Sequence, residues 1–413
     1  MGKESTKSEQ LRKAKAERLM RALVEPDPLT VALRGKIREF IETMVTTELT
    51  EALAAVRHAR RPSRQGYRHG WIQRTLTTGL GPTALTLPRA RLRQGTETVE
   101  WRSQLIPRYE RRAAAIDAAM LGCYFSGANG RRIKGALGPL LRGAPLSKSA
   151  VSRLVGQVKA LYERWHGRDL KAEGVVILYL DAIALRVRLD RKVVSVPVLV
   201  ALGVRADGQK VILDLEALTS ESTTAWSGFL ESLVARGLTR PQVCVIDGNP
   251  GLRAAVETSW PGIAVQRCVV HKLRNLERQA PLHAREELTA DYHRITEAES
   301  SALARQAYHA FVAKWEKRLP KVVTSLHEAG EELLTFYCLP PSQWKCVRST
   351  NAIERLNEEF RRRVKTQGAL PTAQTAEMLF YGLLLTGQIR MRRLDGWREM
   401  VAIPAALAMT VAA

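Results

Sequence analysis

Three carboxylates stand where metal-assisted chemistry could use them. Asp181 lies inside the apolar run Gly174 to Arg188 (GVVILYLDAIALRVR), where a carboxylate is costly unless it is paired or coordinates something. Asp247 follows the apolar run Val243 to Ile246 and precedes Gly248. A buried parallel strand would deliver it into the crevice where open α/β sheets hold their chemistry, although an Asp-Gly pair is also an ordinary turn former. Glu354 belongs to Ser349 to Arg363 (STNAIERLNEEFRRR), a helical stretch with a basic later half. It too has a plain alternative, since Asn351 is a good N-cap and Glu354 stands third after it, as in a capping box. Brought together, these oxygen donors suit Mg²⁺, which uses few carboxylates and keeps water and substrate phosphate as ligands. Two such ions about 4 Å apart activate the attacking water or 3′-hydroxyl and stabilise the leaving oxygen of an in-line phosphodiester displacement. Mn²⁺ could substitute for them.

The carboxylates converge only if the intervening elements form a sheet. Gly174 to Arg188, Val193 to Val204 and Lys210 to Leu215 are β-rich runs joined by turn residues, which predicts an antiparallel meander. Trp226 to Arg236 reads as a helix, and Val243 to Ile246 as the next strand, ending in a sharp turn at Asp247-Gly248. A helix opens at Pro250-Gly251 and ends at Trp260-Pro261-Gly262. Ile263 to Val270 reads as a further strand containing Cys268, and His271 to Leu276 begins a basic helix. Three antiparallel strands, a helix, then parallel strands with helices is the order of a ribonuclease-H-like fold. Beyond His271 the pattern is helical: Ala307, Phe311, Trp315 and Leu319 recur every four residues, and this reads as an insertion.

The chain's charge points to the partner. Among 413 residues, 64 Lys and Arg outweigh 41 Asp and Glu for a net +23, which predicts a polyanion and puts nucleic acid first. From Arg57 to Arg112 there are thirteen Arg, no Lys and three acids, with Tyr67, Trp71 and Trp101 interleaved. Ile72 to Thr77 and Thr83 to Leu87 within it predict a hairpin flanked by Arg68, Arg74, Arg89, Arg91 and Arg93, and Arg suits bidentate contacts to phosphate and guanine. A solvated basic surface is the other reading. Leu146 to Leu154 resembles the second helix of a helix-turn-helix, offering Lys148 and Arg153 to DNA, although Ser147 or Ser149 could simply be an N-cap. Arg361, Arg362 and Arg363 add a third basic set. Leu29 to Val56 predicts an amphipathic helix that needs a partner surface. The five scattered cysteines indicate neither a disulfide framework nor a zinc ribbon and fit a reducing cytosol. No apolar run approaches the ~20 residues of a membrane span, and the polar MGKESTKSEQ start does not read as a signal peptide.

With these residues in view, the sequence resembles the Mutator-type transposases of bacterial insertion sequences. The likeness is carried by Leu180-Asp181-Ala182, Ala201 to Val204 with Asp207-Gly208, Glu221-Ser222 with Trp226, and Arg236-Gly237-Leu238. It continues through Asp247-Gly248 with Gly251-Leu252, Gln266 to His271 with Arg274-Asn275-Leu276, and Thr350 to Arg355. It implies that Asp181, Asp247 and Glu354 are the catalytic, metal-binding triad and that Cys268 and His271 form a C-x-x-H element beside the active site. It also implies a DDE transposase that cuts at terminal inverted repeats and joins 3′-hydroxyl ends to target DNA without a covalent enzyme intermediate. Two ends imply at least a homodimer working on double-stranded DNA in the bacterial cytoplasm, nucleoid-associated when bound. The rivals are a catalytically silent, transposase-derived DNA-binding protein and a ribonuclease-H-like nuclease.

The expected organisation is therefore an N-terminal helical region (1–60) and a basic, mainly helical DNA-binding region with a small β-hairpin (61–170). An α/β, ribonuclease-H-like core follows (171–276), interrupted by an all-helical insertion (277–345) and completed by the catalytic helix and C-terminal helices (346–413).

Overall fold

The structure, a computed structural model, describes residues 11–17, 20, 28–128, 130–142, 144, 146–189, 192–365, 370 and 372–402. The fold is mixed α/β and divides into two compact units, Met1–Gly156 and Gln157–Ala413.

In the first unit, helix α1 (Pro28–Ala52) lies on a three-stranded antiparallel sheet in the order β1 (Gly66–Thr78), β2 (Gly81–Gln94), β3 (Glu97–Glu100). Alternation along β2 explains the packing. Leu85, Leu87 and Ala90 are buried, with Val45 or Leu49 of α1 in the same cores, while Arg89, Arg91 and Arg93 are exposed. The expected hairpin is thus longer than the apolar runs suggested, because pairing continues up to Thr78↔Gly81 and outward to Gly66↔Leu92. It also gains a third strand. Glu97–Glu100 is exposed throughout and has no apolar alternation to announce it, yet it pairs with Arg91 to Gln94, setting Glu100 opposite Arg91. Four helices follow: α2 (Ala114–Phe125), α3 (Gly130–Ala136), α4 (Gly138–Leu141) and α5 (Lys148–His166), the last containing the boundary between units. Of the stripe on α1, Val45 and Leu49 are buried, while Leu33, Phe40 and Met44 remain exposed.

The second unit is built on a five-stranded sheet, order β6-β5-β4-β7-β8. Strands β4 (Val175–Leu189), β5 (Lys192–Arg205) and β6 (Lys210–Ala217) form the antiparallel meander. Strands β7 (Val243–Ile246) and β8 (Ala264–Arg267) join on the other side of β4, both in parallel. β7 and the first half of β4, Ile177 to Leu180, are buried on both faces, which is why they read as apolar runs, while beyond Asp181 β4 alternates with Ala184, Arg186 and Arg188 exposed. Leu178, Leu180, Cys244 and Ile246 share one core with Trp226, Phe229 and Leu230 of α6 (Thr223–Ala235) and Leu252 of α7 (Pro250–Ser259). One expectation is corrected here. Cys268 is not inside a strand: β8 stops at Arg267, Cys268 takes the N-cap position, and helix α8 (Val269–Gln279) starts two residues before His271. The strand ends there because the Cys268 N–H reaches back to the Ile246 carbonyl at 2.8 Å while the Val269 N–H turns to the Arg348 carbonyl at 2.9 Å.

After β8 the described chain is helical, through α9 (Arg285–Thr296), α10 (Ser301–Trp315), α11 (Pro320–Ala329), α12 (Pro341–Val347), α13 (Asn351–Lys365) and α14 (Ala373–Leu385). Helix α13 packs on β4, which brings Glu354 back to the sheet from far along the chain.

Candidate active site

Asp181 sits midway along β4, and α13 closes over it. Two donors hold its carboxylate: the Ala182 N–H reaches Oδ1 at 2.9 Å and the Asn357 Nδ2 donates to Oδ2 at 2.7 Å. Neither is cationic. Burial pushes the carboxyl up to about 7, and the charge of Asp247 adds to the rise, with a smaller contribution from Glu354. The three acids therefore share one field, and like charges gathered in a partly dry site favour the neutral form. Asp247 stands just past β7, its Oδ1 accepting the Asn249 N–H at 2.9 Å. The Asn249 side chain in turn caps α7 through Gly251 and Leu252. The Asp247-Gly248 pair is thus a turn, as its composition predicts, with the Asp247 carboxylate held at its start.

Thr350 ties Glu354 to Cys268 and His271. Fully buried, it gives its N–H to Cys268 Sγ at 3.3 Å, and its hydroxyl lies 3.3 Å from Sγ, 3.3 Å from His271 Nδ1 and 3.1 Å from Glu354 Oε1. A hydroxyl has one proton, so it can serve only one of these acceptors at a time. His271 Nδ1 is 3.6 Å from Glu354 Oε1. The hydrogen bond to Cys268 lifts the His271 imidazole to about 9 against the opposing effect of burial. Burial pushes the Cys268 thiol up, but hydrogen bonds from His271 and Thr350 outweigh it and leave the thiol below its ordinary value. The ligand atoms of Cys268, His271 and Glu354 lie within 4.8 Å of one another.

The capping-box reading of Glu354 is corrected. The Glu354 N–H bonds the Thr350 carbonyl at 2.9 Å as the first turn of α13, so Thr350 rather than Asn351 takes the cap position and Glu354 comes fourth after it. Its carboxylate does not close a capping box. It faces Thr350 and His271 instead.

Three residues around these acids had no role assigned from the sequence. Asn357 is 1% exposed, and only its place three residues after Glu354, on the same helix face, could have marked it. Arg267 is buried, donates to the Gly248 carbonyl at 3.2 Å and fills the space beside Gly248, whose φ is +105. Glu221 accepts from Asn249 Nδ2 at 2.9 Å, and burial together with Asp247 raises its carboxyl above the usual range. Asn357→Leu keeps the branched outline of the side chain and removes its donor, so if the acids hold a divalent ion, metal affinity should fall about 10- to 100-fold, as loss of an orienting partner does. A Mg²⁺ titration of cleavage checks this, since a residue that merely packs would leave the half-saturating concentration unchanged.

The basic residues divide by what they touch. Arg68 bonds Thr50 Oγ1 and the Ala55 carbonyl, and Arg74 bonds the carbonyls of Ile106, Pro107 and Glu110, so both guanidinium groups serve the unit's own structure. Arg89 pairs with Glu100 at 3.0 Å, while Arg91 and Arg93 lie exposed along the same strand. Lys148 is the first residue of α5, with its side chain outside the described residues. Arg153 is exposed and bonds the Ser149 carbonyl, and Ser147 accepts the Ala150 N–H at 3.2 Å, acting as a cap. On α13, Arg361 is exposed, and Arg362 and Arg363 both pair with Glu359. The described cysteines are all free, and among the described residues no helix is long and apolar enough to cross a membrane.

Comparison with known proteins gives this geometry a family. A family profile described as "Transposase, Mutator family" matches residues 5–389. The transposase of insertion sequence element ISRM5 from Rhizobium meliloti (strain 1021) is 33% identical over 377 residues, covering 91% of this chain and 90% of that protein. The transposase of IS256 in transposon Tn4001 from Staphylococcus aureus is 30% identical over 344 residues, 83% of this chain and 86% of its own. That of IS1081 from Mycobacterium tuberculosis (strain ATCC 25618 / H37Rv) is 30% identical over 367 residues, 89% and 86%. A profile matching nearly the whole chain and relatives covered almost end to end leave one assignment: the chain belongs to the Mutator family of transposases.

Proposed function

We propose that this protein is a DDE transposase that binds the terminal inverted repeats of an insertion sequence, cuts the DNA with divalent metal and joins the 3′-hydroxyl ends to a target. The observation that carries the reading is Asp181: a half-buried carboxylate in the central strand, within the electrostatic reach of Asp247 and Glu354, and hydrogen-bonded only by neutral donors. Cations among these oxygens would favour the charged form of Asp181, and the all-oxygen donor set suits Mg²⁺ or Mn²⁺. Asp181, Asp247 and Glu354 would hold two ions, which when bound supply an activated oxygen nucleophile and charge stabilisation at the phosphate. The chain's own part is positioning. Asn357 and the Ala182 N–H fix the Asp181 oxygens, Asn249 fixes Asp247, and Thr350 orients Glu354 beside His271. The strand order and directions of the sheet support a ribonuclease-H-like core, with the helices of 277–345 as its insertion. Two ends brought to one reaction imply at least a homodimer. No second Cys-His pair joins Cys268 and His271 among the described residues, so a structural tetrahedral zinc site is not part of the reading.

The test is a duplex carrying the repeats that flank the gene, incubated with the protein and Mg²⁺. Nicking at the repeat ends that stops in chelator supports the reading, and binding without cutting favours the silent DNA-binding rival. Binding has its own check. Arg91 and Arg93 are exposed and show no side-chain partner among the described residues. Replacing Arg89, Arg91 and Arg93 together with Ala should therefore flatten the salt dependence of end binding by about two units of slope, since each phosphate that an arginine no longer neutralises removes about 0.9. An unchanged slope would return this strand to a solvated surface.

A further inference from the structure

The first unit contains a cleft of about 880 Å³ between strands β1 and β2, residues 100–112 and the start of α5, reaching Val45 of α1. Seven of its lining residues are arginine and two, Glu100 and Glu110, are acids. Leu87 and Ile106 give it an apolar floor. Its size is that of a site for a small ligand, which admits one or two nucleotides and not the width of a duplex.

Tyr109 stands at the edge of this cleft, and its setting is unusual. Its side chain is 78% exposed and its φ is +75, a left-handed conformation that is an outlier for a bulky residue and suits glycine. The Glu110 N–H bonds the Pro107 carbonyl at 3.2 Å, closing a tight turn around Arg108 and Tyr109. Arg74 clamps that turn from below through the carbonyls of Ile106, Pro107 and Glu110. The guanidinium of Arg108 lies over the Tyr109 ring at 5.2 Å. A large aromatic ring is thus held out into solvent, against its backbone preference, beside an excess of positive charge. Strain kept in this way is a mark of function, and an aromatic platform in a basic groove is how proteins hold unpaired bases. A duplex keeps its base faces stacked, so the ring could meet a base face only where the strands have separated.

We propose that this cleft binds unpaired DNA, with Tyr109 stacking on a base and Arg102, Arg111 and Arg153 meeting the phosphates. The proposal rests on the reading of the chain as a DNA-handling transposase and specifies where strands opened during transposition would be held.

The test uses the full chain in chelator, so that nothing is cut, and follows fluorescence anisotropy of a short oligothymidylate and of a blunt duplex carrying the end sequence. Tyr109→Gly should bind the single strand about tenfold more weakly while duplex affinity is kept. Its melting temperature should be equal or higher, because glycine suits the backbone conformation. Tyr109→Phe, which keeps the ring, should bind as the parent does. Arg102→Ala combined with Arg111→Ala should flatten the salt dependence of single-strand binding. A Tyr109→Gly protein that binds the single strand like the parent, or loses both DNAs by one factor, overturns the proposal. Because this assay needs no metal, a protein that passes it but never cuts keeps the cleft and loses the catalytic reading.

Discussion

Asp181→Asn, Asp247→Asn and Glu354→Gln should each lower Mg²⁺-dependent cleavage and strand transfer by about three orders of magnitude or more, because each removes charge on which catalytic electrostatics depend. Each keeps the shape of the side chain and most of its hydrogen bonding. End binding should persist or tighten, since one negative charge fewer faces the incoming phosphate. Glu354 is the informative member. Had it been only a capping residue, its loss would cost about 1 kcal/mol of helix stability and leave turnover largely intact. The structure places Thr350 at the cap and turns Glu354 toward His271. A Glu354→Gln protein that cuts at the parent's rate would remove that residue from the site.

The second large effect is on the metal-free protein and depends on pH. The Asp181 carboxyl is raised from 3.8 to about 7 by burial and by Asp247, so between those values the folded chain holds a proton that the unfolded chain releases. The associated stability is fully present below about pH 4 and is lost as pH rises through about 7. With a discount for partial exposure, the loss is on the order of 2 kcal/mol, a few degrees in melting temperature. In chelator at pH 8, Asp181→Asn should therefore melt above the parent, and the gap should close as pH falls toward 4. Adding Mg²⁺ should raise the parent's melting temperature, because a ligand that binds the native state stabilises it, and should do little for the variant. Parallel melting curves for the two proteins across this range would show that Asp181 carries no such strain.

Much of this site was legible because its parts obey strong local rules. The five strands of the second unit announce themselves as apolar runs, and a carboxylate inside one of them is conspicuous; Asp181 and Asp247 follow from that. Glu354 was legible through its helix, but its setting was not, because whether it closes a capping box turned on whether Thr350 or Asn351 caps α13. Cys268 was misplaced by extending an apolar run through the N-cap, since Val269 and Val270 continue the strand composition while already helical. Asn357 was invisible for a different reason: its link to the site is one hydrogen bond to a residue 176 positions away, and nothing in its own neighbourhood encodes that. In the first unit, β3 escaped because it buries nothing. Arg68 and Arg74 were read as arginines offered to DNA beside the hairpin, and their carbonyl and hydroxyl partners appear only once the chain has folded.

The most direct test of the central claim is the joining step. A duplex with a labelled repeat end, incubated with protein, Mg²⁺ and a supercoiled plasmid, should yield label covalently attached to plasmid through the 3′-hydroxyl of that end, and Asp181→Asn should yield none. Cleavage that never produces joined plasmid would contradict the account and make the protein a nuclease.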